Sequence, residues 1–288
     1  VLYLSDWSAI VRNACGSEPK HINASYSIFL SALKALDPAK MENVAILKQS
    51  EAILADPSNY WISVINVGRH FMLNDVMGSA MKDSDNAGIV VARLMQVADA
   101  AGLEASSIAM IEGDETTVMQ DLITKFFDAK LTGVTKPEIS VVQATSLVLQ
   151  QRESEAHKQD NDEYFLLDDP KAHGKSKLKK AFCEPGNIGF CPPITLASTF
   201  FFDLAKSEMK ISRSEADGGE IVFRTKAEIE AAFANESVHP GDLKAAVMGL
   251  MVETITKIST AIKAEPDLVK ASKAMKTLHK NLMKRKKK

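Results

Sequence analysis

The strongest constraint on folding is the run from Ser237 to Ile262. Leu243, Val247, Leu250, Met251, Ile255 and Ile258 recur there at helical steps, the pattern of a helix that buries one face. Pro240 falls in its first turn, where a missing backbone N–H does no harm. His239 precedes it, and the carboxylate of Asp242 follows. At a helix N-terminus that carboxylate is either a capping group or an acceptor aimed at a ligand. His239 has the same two readings, as a cap or surface residue or as a ligand contact. A helix this long needs a core to cover it. With 288 residues, 45% hydrophobic and 25% charged, the chain can supply one large domain or two ordinary ones.

The first half alternates strand and helix. Val1-Leu-Tyr-Leu reads as a buried strand, with Asp6 and Trp7 at its carboxyl edge and a helix or loop from Ser8 to Cys15. Ligands of α/β sheets sit beyond such edges. A helix is expected from about Ala24 to Leu36, a strand at Val44-Ala-Ile-Leu, helices over 58–72 and 86–101, and a strand at Ile139-Ser-Val-Val. Strands separated by helices argue for parallel pairing.

Residues 151–163 hold no aliphatic side chain larger than alanine, so a domain boundary is expected there, giving domains of 1–163 and 164–288. Beyond it, Asp169-Pro170 should open a helix. Lys171, Lys175 and Lys179 would form its basic face, and Pro185-Gly186 its end. An apolar helix is read over 195–206. Strands at Met209–Arg213 and Ile221–Arg224 would join through Gly218-Gly219, and a last helix would cover about Pro266 to Leu282.

The formal net charge of −2 is unevenly spread. Residues 1–163 carry 13 basic and 22 acidic side chains, residues 164–288 carry 22 and 15, and nine Lys or Arg follow Asp267 with no acid among them. The second part therefore suits a polyanion, and the basic end is either a solvated tail or a nucleic-acid contact. The three cysteines, Cys15, Cys183 and Cys191, lack metal-ligand spacing and read as buried small hydrophobes in a reducing compartment. No metal site is expected. Gly174-Lys-Ser176 is not a phosphate loop, because Asp169 stands where its first glycine belongs. Neither a signal peptide nor a membrane helix is read.

Two stretches carry a resemblance. Lys177-Leu-Lys-Lys-Ala-Phe-Cys-Glu-Pro-Gly-Asn187, and Arg213, Gly218-Gly219 and His239-Pro-Gly-Asp-Leu-Lys244 in that order, closely resemble the anticodon-binding domain of tyrosyl-tRNA synthetases of the eukaryotic and archaeal type. The first half is similar more weakly. Leu4-Ser-Asp6 with Ala9 and Asn13 resembles the strand end before the family's Asp-Leu-His-Ala, and Leu94-Met-Gln-Val-Ala-Asp99 resembles the helix lining the tyrosine pocket. The resemblance implies an α/β chain: a Rossmann-like class I catalytic domain, incomplete at its N-terminus, then a mostly helical anticodon-binding domain.

The departures from the family bear on activity. Its His-x-Gly-His-like motif is not found. Its Lys-Met-Ser-Lys-Ser-like loop aligns with Glu155-Ala-His-Lys-Gln159, where Glu155 puts negative charge at a place that needs donors to phosphate. The family's pocket Tyr aligns with Ala92 and a further Gln with Thr116, leaving Gln96 and Asp99 as vestigial pocket groups. A pocket that recognises a substrate hydroxyl needs its full hydrogen-bond set, so no catalytic residue is assigned. On the anticodon side, Asp242 matches the residue that accepts from guanine's Watson–Crick edge. His239, Pro240 and Arg213 lie around it, with Lys175, Lys179 and Lys180 toward the tRNA backbone. The aromatic that stacks on the base aligns with Asp217, so that stacking contribution is missing.

The expected function is thus a tRNA(Tyr)-binding, non-catalytic half of a cytoplasmic synthetase. It resembles the second half of a double-length enzyme, paired with a catalytic half in a pseudo-dimer where ordinary members form homodimers. ATP, with Mg, and tyrosine would be used by the parent enzyme and not bound by this segment. No membrane partner is expected. The alternatives are a ligase completed by upstream residues and a synthetase-derived scaffold that does not bind tRNA.

Overall fold

The computed structural model describes residues 1–78, 86–153, 159, 161–165, 167, 169–215 and 218–286, with side chains through 282. Its contacts divide the chain into two compact units. One takes Val1–Phe29, Glu42–Ala144 and Asp267–Lys288, the other Leu30–Met41 and Thr145–Pro266. The division thus falls ahead of the polar stretch 151–163, and the last helix groups with the first unit.

In the first unit, β1 (Leu2–Leu4) pairs parallel with β2 (Ile46–Lys48), Leu4 opposite Lys48. β3 (Ser107–Ile111) pairs parallel with β4 (Glu138–Val142), Ile108 opposite Ile139. The parallel pairing read from strand–helix alternation is present, as two separate two-stranded ladders. Among the described residues, α1 (Asp6–Val11), α4 (Gln49–Ala55), α5 (Pro57–His70), α6 (Leu73–Met77), α7 (Gly88–Gly102) and α8 (Thr116–Asp128) alternate with these strands along the chain. α2 (Pro19–Leu36) and the short α3 (Pro38–Met41) lie between α1 and β2 in the chain. The core is made by Val64 and Val67 of α5, Met95 of α7, and Leu122, Ile123 and Phe126 of α8.

The second unit is mostly helical. α9 (Ser176–Lys180) and α10 (Pro192–Ala197) lead into a π-helical turn, Ser198–Leu204. β5 (Met209–Ile211) and β6 (Ile221–Phe223) form an antiparallel hairpin, followed by α11 (Lys226–Ala234) and α12 (Pro240–Ala264). α13 (Pro266–Lys286) ends the described chain. α12 has the length and mean hydropathy, 1.3, of a membrane span, which the sequence reading did not register. Its apolar face, however, is spent on a protein core. Leu243, Val247, Met251, Ile255 and Ile258 are fully buried, while Leu250 is only half-buried.

Two sequence expectations are corrected here. The lysine-bearing helix expected from Asp169 to Pro185 contracts to Ser176–Lys180, after turns over 170–175. Asp169 does cap, accepting from the N–H groups of Lys171 and Ala172 at 2.9 and 2.8 Å. Gly174 packs closely: a Cβ there would lie 2.6 Å from the Pro170 carbonyl oxygen and 2.9 Å from Val252 Cγ2 of α12. Among the cysteines only Cys191 is buried, while Cys15, in the 3-10 turn Ala14–Ser17, and Cys183, in the loop after α9, are half-buried.

Candidate functional site

In the second unit the candidate site is built on the start of α12. His239 is the N-cap, its Nδ1 accepting from the Gly241 N–H at 3.0 Å. Pro240 occupies the first turn. Asp242 follows at the third helical position, half-buried, and among the described residues no donor meets its carboxylate. The cap is therefore the histidine, and the carboxylate stands in the positive field of the first turn with its acceptors unspent. Arg213 is a positioning residue here. Its Nε donates to the Gly219 carbonyl at 3.1 Å and its Nη1 to the Ser237 carbonyl at 2.8 Å. It thus ties the hairpin turn, where Gly218 and Gly219 adopt φ of 91° and 72°, to the chain entering α12.

Lys244 Nζ donates to the Lys179 carbonyl at 3.4 Å, so the two stretches that carry the resemblance meet within one unit. Lys175, Lys179 and Lys180 are exposed beside this junction. Lys177 differs. It is buried, donates to the Glu163 carbonyl at 2.8 Å, and lies 4.8 Å from the centre of the Phe165 ring, a structural cation. Asp217 and residues 155–158 lie outside the described residues, as do the side chains of 283–288.

In the first unit, Asp99 of α7 is buried and fully engaged. Its Oδ1 accepts from the hydroxyls of Tyr3 (2.8 Å) and Tyr60 (3.0 Å), and its Oδ2 from Gln49 Nε2 (2.6 Å). Burial pushes its carboxyl up to about 6 against the pull of these donors. Both phenols are raised by burial and by the nearby Asp99 charge. Gln49, itself buried, also holds the Ser8 N–H at 2.7 Å. Gln96 does not join this cluster: it accepts from Arg12 Nη2 at 3.3 Å. Arg12 also donates to Glu115 at 3.1 Å, and Glu115 takes two bonds, of 2.8 and 2.6 Å, from the fully buried Arg93. The Arg93 hydrogen bonds hold the Glu115 carboxyl below its ordinary range.

A cavity of about 510 Å³ is lined by Gln96, Asp99, Met110, Glu115 and Thr116 among others. A second of about 320 Å³ lies beside Tyr3, Asn59, Tyr60 and Asp99. Ala92 is core, and Thr116 donates its hydroxyl to the Ile111 carbonyl at 2.8 Å. The sequence reading missed Tyr3, Gln49 and Tyr60 as partners of Asp99. They lie 96, 50 and 39 residues from it, and no local spacing could have joined them. Among the described residues, no cluster of three or more His, Cys, Asp or Glu could hold a metal ion.

No protein-family model matches the chain. Its structural neighbours place it among class I aminoacyl-tRNA synthetase folds. Tyrosyl-tRNA synthetase complexed with L-tyrosine from Pyrococcus horikoshii is similar at a TM-score of 0.78 with 20% identity, over 96% of this chain and 81% of that one. The Leishmania major tyrosyl-tRNA synthetase is similar at 0.79 with 24% identity, over 98% of this chain and 40% of that one. In sequence, the cytoplasmic tyrosine–tRNA ligase 1 of Arabidopsis thaliana is 25% identical over 277 residues, 92% of this chain and 69% of the relative. Over most of its length the chain is similar to tyrosyl-tRNA synthetases.

Proposed function

We propose that this chain is the tRNA(Tyr)-binding, non-catalytic half of a tyrosyl-tRNA synthetase. It supplies anticodon recognition to a catalytic half that joins tyrosine to tRNA with ATP. The observation that carries the reading is the state of Asp99. In the resemblance this carboxylate belongs to the tyrosine pocket, yet here both its oxygens are taken by Tyr3, Tyr60 and Gln49 of the same chain. A substrate phenol would have to displace a buried internal donor and leave it unpaired, which costs about 1–3 kcal/mol per group. The other polar positions the resemblance would use are equally spent: Gln96 on Arg12, and Thr116 on the end of β3. Asp242, by contrast, meets no donor among the described residues, and Lys244, two residues on, reaches the Lys179 carbonyl at 3.4 Å.

A partner half is supported by the outer face of α5. Ile62 and Ile65 are 53% and 58% exposed there, opposite the buried Val64 and Val67. Leu54 before α5 and Met72 and Leu73 after it in the chain are also apolar and 62–75% exposed. Clustered apolar exposure of this kind marks an interaction site. We assign it to the catalytic half, because the Leishmania major chain has room for a second segment of this size. The cytoplasm is the compartment expected from the plant relative. The purified chain should show no tyrosine-dependent exchange of pyrophosphate into ATP above a no-enzyme blank, and should bind tRNA(Tyr) transcripts in a filter assay. Exchange in a preparation free of host synthetase would defeat the non-catalytic reading, and failure to bind tRNA would defeat the binding one.

A further inference from the structure

Cys183 and Cys191 bracket the loop that follows α9. Their sulfurs lie 3.9 Å apart, and the loop between them is tightly self-bonded. Asn187 donates through Nδ2 to the Glu184 carboxylate at 2.9 Å, and its Oδ1 accepts from the N–H groups of Gly189 and Phe190 at 3.1 and 3.3 Å. The rings of Phe182 and Phe190, each adjoining one of the cysteines, lie 5.6 Å apart. The two chain ends are therefore already held together by contacts that owe nothing to sulfur. Cys183 is half-buried and Cys191 buried, so solvent reaches the pair from one side.

We propose that Cys183 and Cys191 form a redox pair that hydrogen peroxide closes into an intramolecular disulfide. The anionic sulfur of the pair attacks one peroxide oxygen. The O–O bond breaks, a sulfenic acid forms, and the second oxygen leaves as water after taking up a proton. The neighbouring sulfur then attacks the sulfenyl sulfur, the S–O bond breaks, and a second water leaves with the remaining proton. Two thiols are oxidised, one peroxide is reduced and two waters form. Contact between the thiols eases loss of one proton at Cys191 and holds the Cys183 proton more tightly, while the charge of Lys244 favours the anion at either sulfur. Closure requires the sulfurs to approach from 3.9 Å to about 2.05 Å, the length of an S–S bond. Contact through the Phe182 and Phe190 rings leaves that approach to side-chain rotation and a small loop shift.

The test uses the full chain treated with hydrogen peroxide, alkylated with iodoacetamide and digested with trypsin. Peptide 181–206 contains both cysteines and ends at Lys206. After peroxide it should be about 2 Da lighter and refuse alkylation until reduced, while Cys15, in another peptide, still alkylates. Full alkylation of Cys183 and Cys191 after peroxide would overturn the proposal. So would sulfinic acid on one of them with the other free. In the Cys191→Ser chain the 2 Da loss should vanish, and its persistence there would equally overturn the pairing.

Discussion

Asp99 and Asp242 are the two carboxylates that the family resemblance assigns to recognition, and the structure treats them in opposite ways. Asp99 is buried on the inner face of α7 with three donors turned onto it from β1, α4 and α5. Asp242 is half-buried on the first turn of α12, where the histidine beside it does the capping. A carboxylate surrounded by internal donors is part of the scaffold, and a ligand must pay to reach it. One that meets no donor at a helix N-terminus retains its acceptors for something else. The same side chain is thus fully hydrogen-bonded in one unit and keeps its acceptors unspent in the other.

The comparison breaks most visibly at Arg93, which anchors the first unit's network. Its guanidinium is fully buried, donates twice to Glu115 and also to the carbonyls of Val76 and Met77. Arg93→Met fills much of the same space but leaves Glu115 and those carbonyls short of donors. A loss of about 3–5 kcal/mol is expected, the cost of removing one partner of a buried pair. Urea unfolding reads it. A loss below about 1 kcal/mol would mean that water replaces the guanidinium, and that the region is more open than its hydrogen bonds imply.

Asp99 predicts a pH dependence. Its folded-state carboxyl lies at about 6 against an ordinary value of 3.8, so the folded protein holds a proton that the unfolded chain has released between those values. Stability from this group is present in full below about pH 4 and is lost as pH rises through about 6. The loss is on the order of 2–3 kcal/mol. Asp99→Asn removes that slope whatever constant cost the amide brings through Gln49, which would face a second amide. The check is the difference in urea midpoint between pH 5 and pH 7, compared in the two chains. An unchanged slope in the variant would assign the titration elsewhere.

How far the sequence reached follows the same divide. α12 was legible because a helix that buries one face writes its period into the chain, and five of the six side chains read as its core face are fully buried. β1 and β4 were legible as short apolar runs. β3 was not, since Ser107-Ile-Ala-Met-Ile111 half-buries only Ile108 and Met110 and two of its five side chains are Ser and Ala. α8 carries a helical pattern, Leu122, Ile123, Phe126 and Phe127, that the reading passed over. Lysine spacing misled at α9, because charges four residues apart say nothing of whether Gly174 turns to pack on α12. The Asp99 cluster was illegible in principle: its donors lie on separate elements, and only the folded chain brings them to one carboxylate.

Asp242→Asn sharpens the comparison by changing the open carboxylate alone. Asparagine keeps the side chain's shape, and the cap itself rests on His239. What changes is one acceptor oxygen, which becomes a donor. Guanine presents N1–H and N2–H₂ donors on its Watson–Crick edge, so the new amide would set donor against donor. Binding of tRNA(Tyr) with guanine at the first anticodon position should weaken by about 1–3 kcal/mol, the scale of one bidentate base contact. Adenine at that position offers N1 as an acceptor and should lose little. A purely electrostatic role at the helix start predicts otherwise: a stability loss of about 0.3–1 kcal/mol and equal effects on both tRNAs. Filter binding of the two transcripts, with melting temperature measured on the same proteins, separates these outcomes. If the guanine preference survives while the melting temperature falls, Asp242 serves the helix, and the contrast with Asp99 reduces to one of burial.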